Sequence, residues 1–245
     1  MKLQGKVAVV TGAAKRVGRA IAGALAQRGA RLAIHYNRSR REAQRLADEI
    51  KTTYDREAVL FKADLSNAGQ VRKLGQAVLR RFGDVHVLVH SASAYERTPF
   101  EKAEIEDWDA HLETNLRAPF FLSQTLGPAM KKAGEGKIIH LADWAAKRPY
   151  IDYIPYCVSK AGLLCLNAAL AKALAPEVQV NAVLPGPVLL PEGTSPKLRE
   201  AIRQATPVKR LGNPEDVVRA VLFLIEGSDF VTGAELAVDG GRLIA

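Results

Sequence analysis

The sequence is poor in cysteine: only Cys157 and Cys165 occur among its 245 residues. Their number and separation match neither a disulfide framework nor a zinc site, so we predict a reducing compartment and no metal centre. The first residues lack the pattern of a signal peptide, and we expect no apolar stretch to be long enough to cross a membrane. These absences predict a cytoplasmic chain without a membrane partner.

Acidic residues are also in the minority, with 26 Asp and Glu against 35 Lys and Arg and a net charge of +9. The basic residues are spread along the chain, without a basic tail or a basic patch interleaved with aromatic residues. That distribution argues against a nucleic-acid partner. It leaves two interpretations of the excess charge, a well-solvated surface and an anionic ligand such as a phosphorylated one.

The chain shows no linker, repeat or low-complexity stretch, and 48% hydrophobic residues suffice for one sizeable core. Short apolar runs alternate with longer segments in which apolar residues recur every three or four positions. The runs predict strands at Val7–Val10, Leu32–Tyr36, Val59–Lys62, Val85–Val89, Lys137–Leu141, Val178–Leu184 and Glu235–Val238. The longer segments predict helices at Val17–Gln27, Arg40–Lys51, Val71–Phe82, Ile105–Leu126, Tyr156–Leu174 and Pro214–Ile225.

This alternation predicts an α/β fold. The strand candidates are unbroken apolar runs, as expected for a parallel sheet with helices on both faces. We therefore predict a single domain over residues 1–245 with a Rossmann-like, doubly wound parallel sheet of about seven strands. In such a sheet the ligand crevice lies at the carboxyl ends of the strands, where the strand order reverses.

One segment departs from the alternating pattern. Residues 185–206 hold four prolines and two glycines, followed by a short amphipathic stretch. A segment of this composition after the sixth predicted strand lies next to the expected crevice. We predict that it forms a substrate lid.

A glycine-containing loop follows the first predicted strand and reads Thr11-Gly12-Ala13-Ala14-Lys15-Arg16-Val17-Gly18. Gly12 permits a tight turn, and Gly18 lets the next helix pack closely on the strand. The amides at the N-terminus of that helix suit a pyrophosphate. Glycines alone would fit any tight turn, but the place of this loop between the first strand and the first helix favours a dinucleotide.

Further motifs follow in order: Asp64-Leu65, His90-Ser91-Ala92-Ser93, Asn115, Tyr156-Cys157-Val158-Ser159-Lys160, Pro185-Gly186 and Asp239-Gly240-Gly241. Together with the loop, this ordered set resembles the short-chain dehydrogenase/reductase family over essentially the whole chain. The resemblance implies a Tyr-x-x-x-Lys catalytic motif at Tyr156 and Lys160. It also implies that Asn115 serves structure and proton relay, and that Asp64 and Leu65 contact the adenine of a nicotinamide cofactor.

The residues after the second predicted strand predict NADPH rather than NADH. Enzymes of this fold that use NAD place an acidic residue there to hold the ribose hydroxyls, and this chain has no Asp or Glu between Arg31 and Arg41. It offers donors suited to a 2′-phosphate: His35, Arg38, Ser39 and Arg40. The full predicted cofactor set is Thr11, Gly12, Arg16, Val17, Gly18, His35, Tyr36, Asn37, Arg38, Ser39, Asp64, Leu65, Ser91, Ala92, Ser93, Lys160, Pro185 and Gly186.

The predicted catalytic residues are Asp143, Tyr156, Lys160 and Asn115. Tyr156 and Lys160 lie one helical turn apart, and we expect the ammonium to lower the pKa of Tyr156 toward working pH. Asp143 occupies the position of the family's catalytic serine. An ionised carboxyl would repel a developing alkoxide, whereas a protonated or hydrogen-bonded one would support proton delivery to a ring nitrogen. A simple capping role for Asp143 is the alternative.

Three departures from the family pattern indicate a subgroup: Arg16 replaces the loop's middle glycine, Asp143 replaces serine, and Ser93-Ala94-Tyr95 follows the fourth predicted strand. With His35-Tyr36-Asn37-Arg38-Ser39 they resemble the pteridine reductases, and the His90-Ser91-Ala92-Ser93 and Ile138-Ile139-His140 segments resemble the bacterial dihydromonapterin reductases. The resemblance implies a pterin that stacks on the nicotinamide. The predicted substrate site is Arg16, Ser93, Tyr95, Asp143 and Tyr156, with Trp144 either a further wall residue or part of the core.

Other functions stay open at this point. A carbonyl reductase of the 3-oxoacyl type shares the fold but has serine where this chain has Asp143. A nucleotide-sensing protein without catalysis would have no need for Tyr156, Lys160 and Asn115 together. The family resemblance also implies a homo-oligomer, a homotetramer, which would bury the apolar faces of Ile105–Leu126 and Tyr156–Leu174 between subunits.

Overall fold

The computed structural model describes residues 1–191 and 193–245. Its strands are β1 Val7–Val10, β2 Arg31–Tyr36, β3 Ala58–Lys62, β4 Val87–His90, β5 Gly136–Leu141, β6 Val178–Pro185 and β7 Glu235–Val238. Its α-helices are α1 Arg16–Gln27, α2 Arg40–Tyr54, α3 Ala68–Phe82, α4 Ile105–Leu112, α5 Ala118–Ala133, α6 Ile154–Leu174, α7 Pro196–Gln204 and α8 Pro214–Leu222.

Within the described ranges the seven strands form one sheet, in the order β3-β2-β1-β4-β5-β6-β7. Every neighbouring pair is parallel. The strand order reverses beside β1, which pairs with β2 on one side and β4 on the other. The prediction of a doubly wound, Rossmann-like parallel sheet is therefore confirmed, and the reversal defines where a ligand crevice should lie.

Helices cover both faces of the sheet, and β1 shows how one strand serves two cores. Successive side chains of a strand point to opposite faces. Ala8 and Val10 pack with residues of α1, α2 and α8, whereas Val7 and Val9 pack with residues of α3 and α5. All four β1 residues are buried, which explains the unbroken apolar run in the sequence.

The predicted helix Ile105–Leu126 was wrong in one respect. The structure divides this stretch into α4 and α5, with a π-helical turn at Glu113–Arg117 between them, and α5 continues to Ala133. The π turn carries the buried Asn115. Such turns insert one extra residue into the helical repeat and often occur at functional sites. The remaining helices and strands begin and end within one to three residues of the predictions.

The predicted lid contains a helix. Within residues 185–206 the structure forms α7, whose N-cap residue Ser195 accepts a hydrogen bond from Leu198 N at 3.2 Å. Leu198 and Ile202 lie one turn apart on α7 and both line the large cleft described below. Glu192 falls within the predicted lid but outside the described residues.

The expectation that no apolar stretch is long enough to cross a membrane was wrong. By length and composition alone, α6 passes that test. The helix is nevertheless weak evidence for a span, because core helices pass the same test and 44% of its most apolar window is buried within the fold. Its packed face carries buried polar residues, Ser159, Lys160 and Asn167.

Candidate active site

A cleft of about 860 Å³ lies over the carboxyl ends of the strands. Its walls come from the loops after β1, β4 and β5, from α6 and from the predicted lid. Most predicted site residues line it: Gly12, Arg16, Val17, Gly18, His35, Asn37, Asp64, Leu65, Ser91, Ala92, Ser93, Tyr95, Asp143, Tyr156, Lys160, Pro185 and Gly186. Trp144 also lines it while being largely buried, so it is both wall and core. Thr11, Tyr36, Arg38, Ser39 and Asn115 are not among the lining residues.

The glycine loop is fitted tightly to the loop after β4. Gly12 has φ +64°, and a Cβ there would lie 2.8 Å from Ala92 Cα. A Cβ at Gly18 would lie 2.5 Å from the carbonyl oxygen of Gly12. Thr11 Oγ1 accepts hydrogen bonds from Ser91 N at 3.0 Å and Ala92 N at 3.1 Å. The glycines are required for this close backbone approach, and Thr11 holds the two loops together instead of facing the cleft.

Arg16 begins α1 with φ +53°. That left-handed conformation costs an L-residue roughly 1–2 kcal/mol and suits glycine, which is the residue the resembled family has here. The guanidinium donates a hydrogen bond to the carbonyl oxygen of Leu189 in the lid segment. The loop thus keeps a glycine-like backbone while adding a cationic side chain that reaches across the cleft.

His35 does not serve as the predicted 2′-phosphate donor. Its Nδ1 accepts from Gly12 N at 3.1 Å, and its Nε2 lies 3.1 Å from the carbonyl oxygen of Ala63. Burial lowers the pKa of His35 to about 4, so the ring is neutral near pH 7. Both nitrogens are engaged by backbone groups, and the residue supports the glycine loop.

The other residues after β2 separate into core and surface. Tyr36 is buried with the core residues of α1 and α2, contrary to its predicted cofactor contact. Asn37 lines the cleft, Arg38 is exposed and Ser39 precedes α2. Hydrogen bonds from Ser66 lower the pKa of Asp64, and the charge of Arg38 adds to the effect. Arg38 therefore lies near the rim of the cleft, within electrostatic reach of Asp64.

Asp143 and Tyr156 form one hydrogen-bonded unit. The phenol of Tyr156 donates to Asp143 Oδ2 at 2.7 Å, and Ala145 N donates to Asp143 Oδ1 at 2.7 Å. Asp143 therefore caps the 3₁₀ turn Trp144–Ala146 and holds the phenol at the same time. Burial raises the pKa of Asp143. Burial and the neighbouring carboxyl also raise the pKa of Tyr156 well above its ordinary value, so the predicted lowering was wrong.

Lys160 lies beneath this unit. Its Nζ donates to the carbonyl oxygen of Leu141 at 2.7 Å and lies 5.7 Å from the centroid of the Tyr156 ring. Burial lowers the pKa of Lys160 to about 8, and the charge of Asp143 partly offsets that effect. The ammonium is therefore directed to the end of β5 rather than to the phenol.

Asn115 joins three segments from outside the cleft. Its Oδ1 accepts from Ala94 N at 2.8 Å, and its Nδ2 donates to Ala94 O at 2.9 Å and to Ser159 Oγ at 3.0 Å. These bonds hold the loop after β4 against α6. The geometry supports the structural half of the role that the resemblance implies for Asn115.

An aromatic wall borders the end of the cleft that holds Asp143 and Tyr156, and sequence reasoning missed part of it. Tyr95 stacks on Tyr153 with ring centroids 4.8 Å apart and meets the edge of Tyr156 at 4.7 Å. Tyr150 continues the wall, 5.9 Å from Tyr153 and 5.4 Å from Trp144. Tyr95 thus has a protein partner on one face and remains 41% exposed. The spacing of three residues between Tyr150, Tyr153 and Tyr156 is a sequence signal from which the rest of this wall could have been predicted.

Two buried histidines lie beside Lys160. His90 and His140 are register partners on β4 and β5, and their rings stack at 5.1 Å with 11° between the planes. Burial lowers the pKa of His140 to about 4 and the pKa of His90 well below its ordinary value, and the charge of Lys160 adds to both effects. The stack is therefore a neutral layer beside Lys160.

Comparisons with known proteins agree with this fold and site. A family model described as enoyl-(acyl carrier protein) reductase matches residues 12–242. D-threitol dehydrogenase of Mycolicibacterium smegmatis is 35% identical over 99% of this chain and 95% of its own length. A 3-oxoacyl-[acyl-carrier-protein] reductase of Synechocystis is 32% identical over 99% of this chain and 98% of its own length.

Among solved structures, FolM alternative dihydrofolate reductase 1 of Brucella canis, complexed with NADP, superimposes with a TM-score of 0.92. It is 31% identical, and the match covers 100% of this chain and 96% of that chain. The protein belongs to the short-chain dehydrogenase/reductase family, in the group that the enoyl reductase model describes. It is therefore an NAD(P)-dependent oxidoreductase that acts on a small-molecule substrate.

Proposed function

We propose that the protein reduces a pterin ring, at the dihydropterin or dihydrofolate level, by hydride transfer from NADPH. The observation that carries this proposal is the 2.7 Å hydrogen bond from Tyr156 to Asp143, at the position where the family has serine. Reduction of a carbon–nitrogen double bond adds a hydride to carbon and a proton to nitrogen. A buried carboxyl whose pKa is raised suits the second step, because it retains a proton closer to neutral pH.

NADPH, when bound, supplies the hydride, and the chain supplies and places the proton. Tyr156 keeps its phenolic proton because its pKa is raised, and Asp143 is positioned to replace that proton after transfer. Lys160, with its pKa at about 8, is largely an ammonium at neutral pH. Although its hydrogen bond goes to Leu141, its charge lies 5.7 Å from the centroid of the Tyr156 ring and stabilises the transient phenolate across that distance. Asn115 acts at a distance, by holding α6 against the loop after β4.

The end of the cleft that holds Tyr95, Asp143 and Tyr156, which we propose as the substrate end, suits a flat, polar heteroaromatic ring. Tyr95 leaves one side open to the cleft while Tyr153 supports the other, and stacking on an aromatic side chain contributes ~0.5–1.5 kcal/mol beyond area burial. Arg16 and Ser93 line the same cleft and offer hydrogen bonds to the ring's edges. The similarity to a structure named as a dihydrofolate reductase supports this assignment.

The cofactor end favours NADPH. Gly12 and Gly18 allow backbone amides of the loop to approach a pyrophosphate, and Lys15 lines the cleft beside them. Arg38 stands after β2, where an acidic residue would be expected for NAD. Its planar guanidinium suits a 2′-phosphate.

A carbonyl reductase of the 3-oxoacyl type is the second candidate, because a relative with that name is 32% identical over nearly the full length. The discriminating experiment compares NADPH oxidation with dihydrobiopterin, dihydromonapterin, dihydrofolate and an acetoacetyl thioester. We expect turnover of at least one pterin and slow or no turnover of the thioester. Asp143→Ser should reduce pterin turnover by ~10²-fold. No pterin turnover by the parent, or full pterin turnover by Asp143→Ser, contradicts the proposal.

We further propose a homotetramer. The family resemblance suggests it, and exposed apolar side chains on α4, α5 and α6 support it: Ile105, Trp108, Phe120 and Val158. Burying such side chains between subunits would remove them from water. Light scattering at micromolar concentration should give four times the mass of 26.6 kDa, and a monomer would refute the assembly.

A further inference from the structure

Arg242 lies on the wall of the cleft, outside the set of residues that the mechanism uses. Its guanidinium carbon is 4.9 Å from the centroid of the Trp144 ring, and Trp144 directly follows Asp143 in the chain. The cation is therefore placed beside the aromatic wall, close to the reacting end of the cleft. Neither the sequence motifs nor the proton delivery described above gives it a role.

The backbone around Arg242 is held in one conformation. Asp239 accepts hydrogen bonds from Gly241 N and Leu243 N, both at 2.8 Å, so one carboxylate closes the turn that carries the arginine. Gly241 has φ +89°, which a side chain would disfavour. The turn positions the backbone of Arg242, and contacts with Trp144 and Ala205 hold its guanidinium.

The guanidinium retains an unused donor edge. Nη1 donates to the carbonyl oxygen of Ala205, at the end of the lid helix, at 2.8 Å. Nε is buried and has no hydrogen-bond partner among the described residues. No carboxylate in the described ranges forms an ion pair with Arg242. Nη2 also has no hydrogen-bond partner among the described residues, and since the buried Nε is shielded from the cleft, Nη2 is the donor that can bind a carboxylate or phosphate oxygen.

We propose that Nη2 of Arg242 binds an anionic group, a carboxylate or a phosphate, at the end of a substituent on the substrate. The inference rests on the proposed pterin reduction. Trp144, Leu198 and Ile202 line the same cleft, and the guanidinium contacts Trp144 and the end of the helix that carries Leu198 and Ile202. The substituent should therefore have an apolar or aromatic stretch before its anion. The benzoyl-glutamate tail of a dihydrofolate has this chemistry, and the short neutral tail of dihydrobiopterin does not. A thioester carrying phosphates shares the anion.

The test measures KM and kcat for dihydrofolate, dihydrobiopterin and acetoacetyl coenzyme A with the parent enzyme, Arg242→Gln and Arg242→Lys. Arg219→Gln is the matched control, since Arg219 lies on α8, is not among the residues that line the cleft, and pairs with the exposed Glu215. We expect Arg242→Gln to raise the ratio of the dihydrofolate KM to the dihydrobiopterin KM by ~10-fold. Arg242→Lys should recover part of the loss, because an ammonium keeps the charge but places its donors differently from a guanidinium.

Direct binding of p-aminobenzoylglutamate, followed by calorimetry, tests the subsite without turnover. We expect Kd to rise by ~10-fold in Arg242→Gln and to be unchanged in Arg219→Gln. Equal Kd values for parent and Arg242→Gln, with an unshifted Tm, would overturn the inference. A KM effect confined to acetoacetyl coenzyme A would keep the anion site and assign it to a phosphorylated thioester. Absence of pterin turnover with the Kd effect intact would overturn the proposed function alone.

Discussion

The cofactor end of the cleft is built mainly from backbone, whereas the substrate end is built mainly from side chains. At the cofactor end, Gly12 and Gly18 permit close approaches between main-chain segments. The side chains of Thr11 and His35 hold those segments by accepting hydrogen bonds from backbone amides. At the substrate end, Tyr95 and Tyr153 come from separate loops and stack through their side chains, and Asp143 holds the phenol of Tyr156.

This difference should separate cofactor affinity and stability, which depend on one end, from rate and substrate choice, which depend on the other. A binding surface made of amides and glycines recognises what all dinucleotides share, so changes near it should alter cofactor affinity or stability. A surface made of titratable and aromatic side chains determines which ring reacts and how the proton moves. Substitutions at the substrate end should therefore change the rate or substrate choice, and the predictions below test that division.

The largest effect is expected at Tyr156. Tyr156→Phe removes the proton donor that Asp143 holds at 2.7 Å, and loss of a general acid costs ~10²–10⁴-fold in kcat. NADPH affinity, measured by fluorescence titration, should stay within about twofold, since the phenol contributes no cofactor contact in our proposal. Turnover by the variant at the parent rate would remove Tyr156 from the mechanism.

The next largest effect is expected in the pH dependence of folding stability, through the buried His35 at the cofactor end. His35 has a pKa of about 4 in the folded chain and about 6.5 when unfolded. As the pH falls below 6.5, the unfolded chain takes up the proton first, so stability is lost progressively until about pH 4. This group should contribute a loss of about 2 kcal/mol between pH 7 and pH 5.

Urea unfolding of the parent and of His35→Asn at pH 7 and pH 5 checks this. Asn keeps a side-chain acceptor for Gly12 N but does not titrate, so the variant should lose about 2 kcal/mol less over this interval. The buried His140, with its own pKa of about 4, should keep part of the acid sensitivity at the substrate end. Identical pH dependence in both proteins would show that His35 is not neutral by burial.

A smaller effect is expected at Arg38. Arg38→Ala removes the guanidinium proposed to bind the 2′-phosphate, and the KM for NADPH should rise ~10-fold, equivalent to about 1.4 kcal/mol. The KM for NADH should change less than twofold. Arg45→Ala, an exposed arginine on α2, is the matched control. Comparable efficiency of the parent with NADH and NADPH would refute the cofactor assignment.

The smallest effect concerns the strained backbone at Arg16. Glycine adopts φ +53° freely, so Arg16→Gly relieves roughly 1–2 kcal/mol of strain while adding roughly 0.5–1 kcal/mol of unfolded-state entropy. We expect a net gain of up to about 1 kcal/mol in urea unfolding, together with a higher KM for the pterin. A net loss of stability would show that the contact with Leu189 in the lid outweighs the strain.

Much of this fold was predictable because its signals are local. Unbroken apolar runs, helical periodicity and the position of Gly12 and Gly18 each depend on neighbouring residues, and the strands lie within two residues of where these signals placed them. The π turn that holds Asn115 was not predicted, because one extra residue leaves the apolar pattern of Ile105–Leu126 nearly unchanged. Tyr153 and Arg242 were missed because each matters only through a distant partner, Tyr95 and Trp144.

The sequence by itself determined the order of strands and helices along the chain, the place of the dinucleotide loop and the identity of the groups that can carry protons. Only the tertiary structure decided how those groups are paired. The spacing of Tyr156 and Lys160 predicted a phenol with a lowered pKa, whereas burial and the carboxyl of Asp143 raise it. The reason is physical: periodicity is a property of adjacent residues, but desolvation depends on everything that packs around a group, and Asp143 meets Tyr156 only when β5 and α6 are folded together.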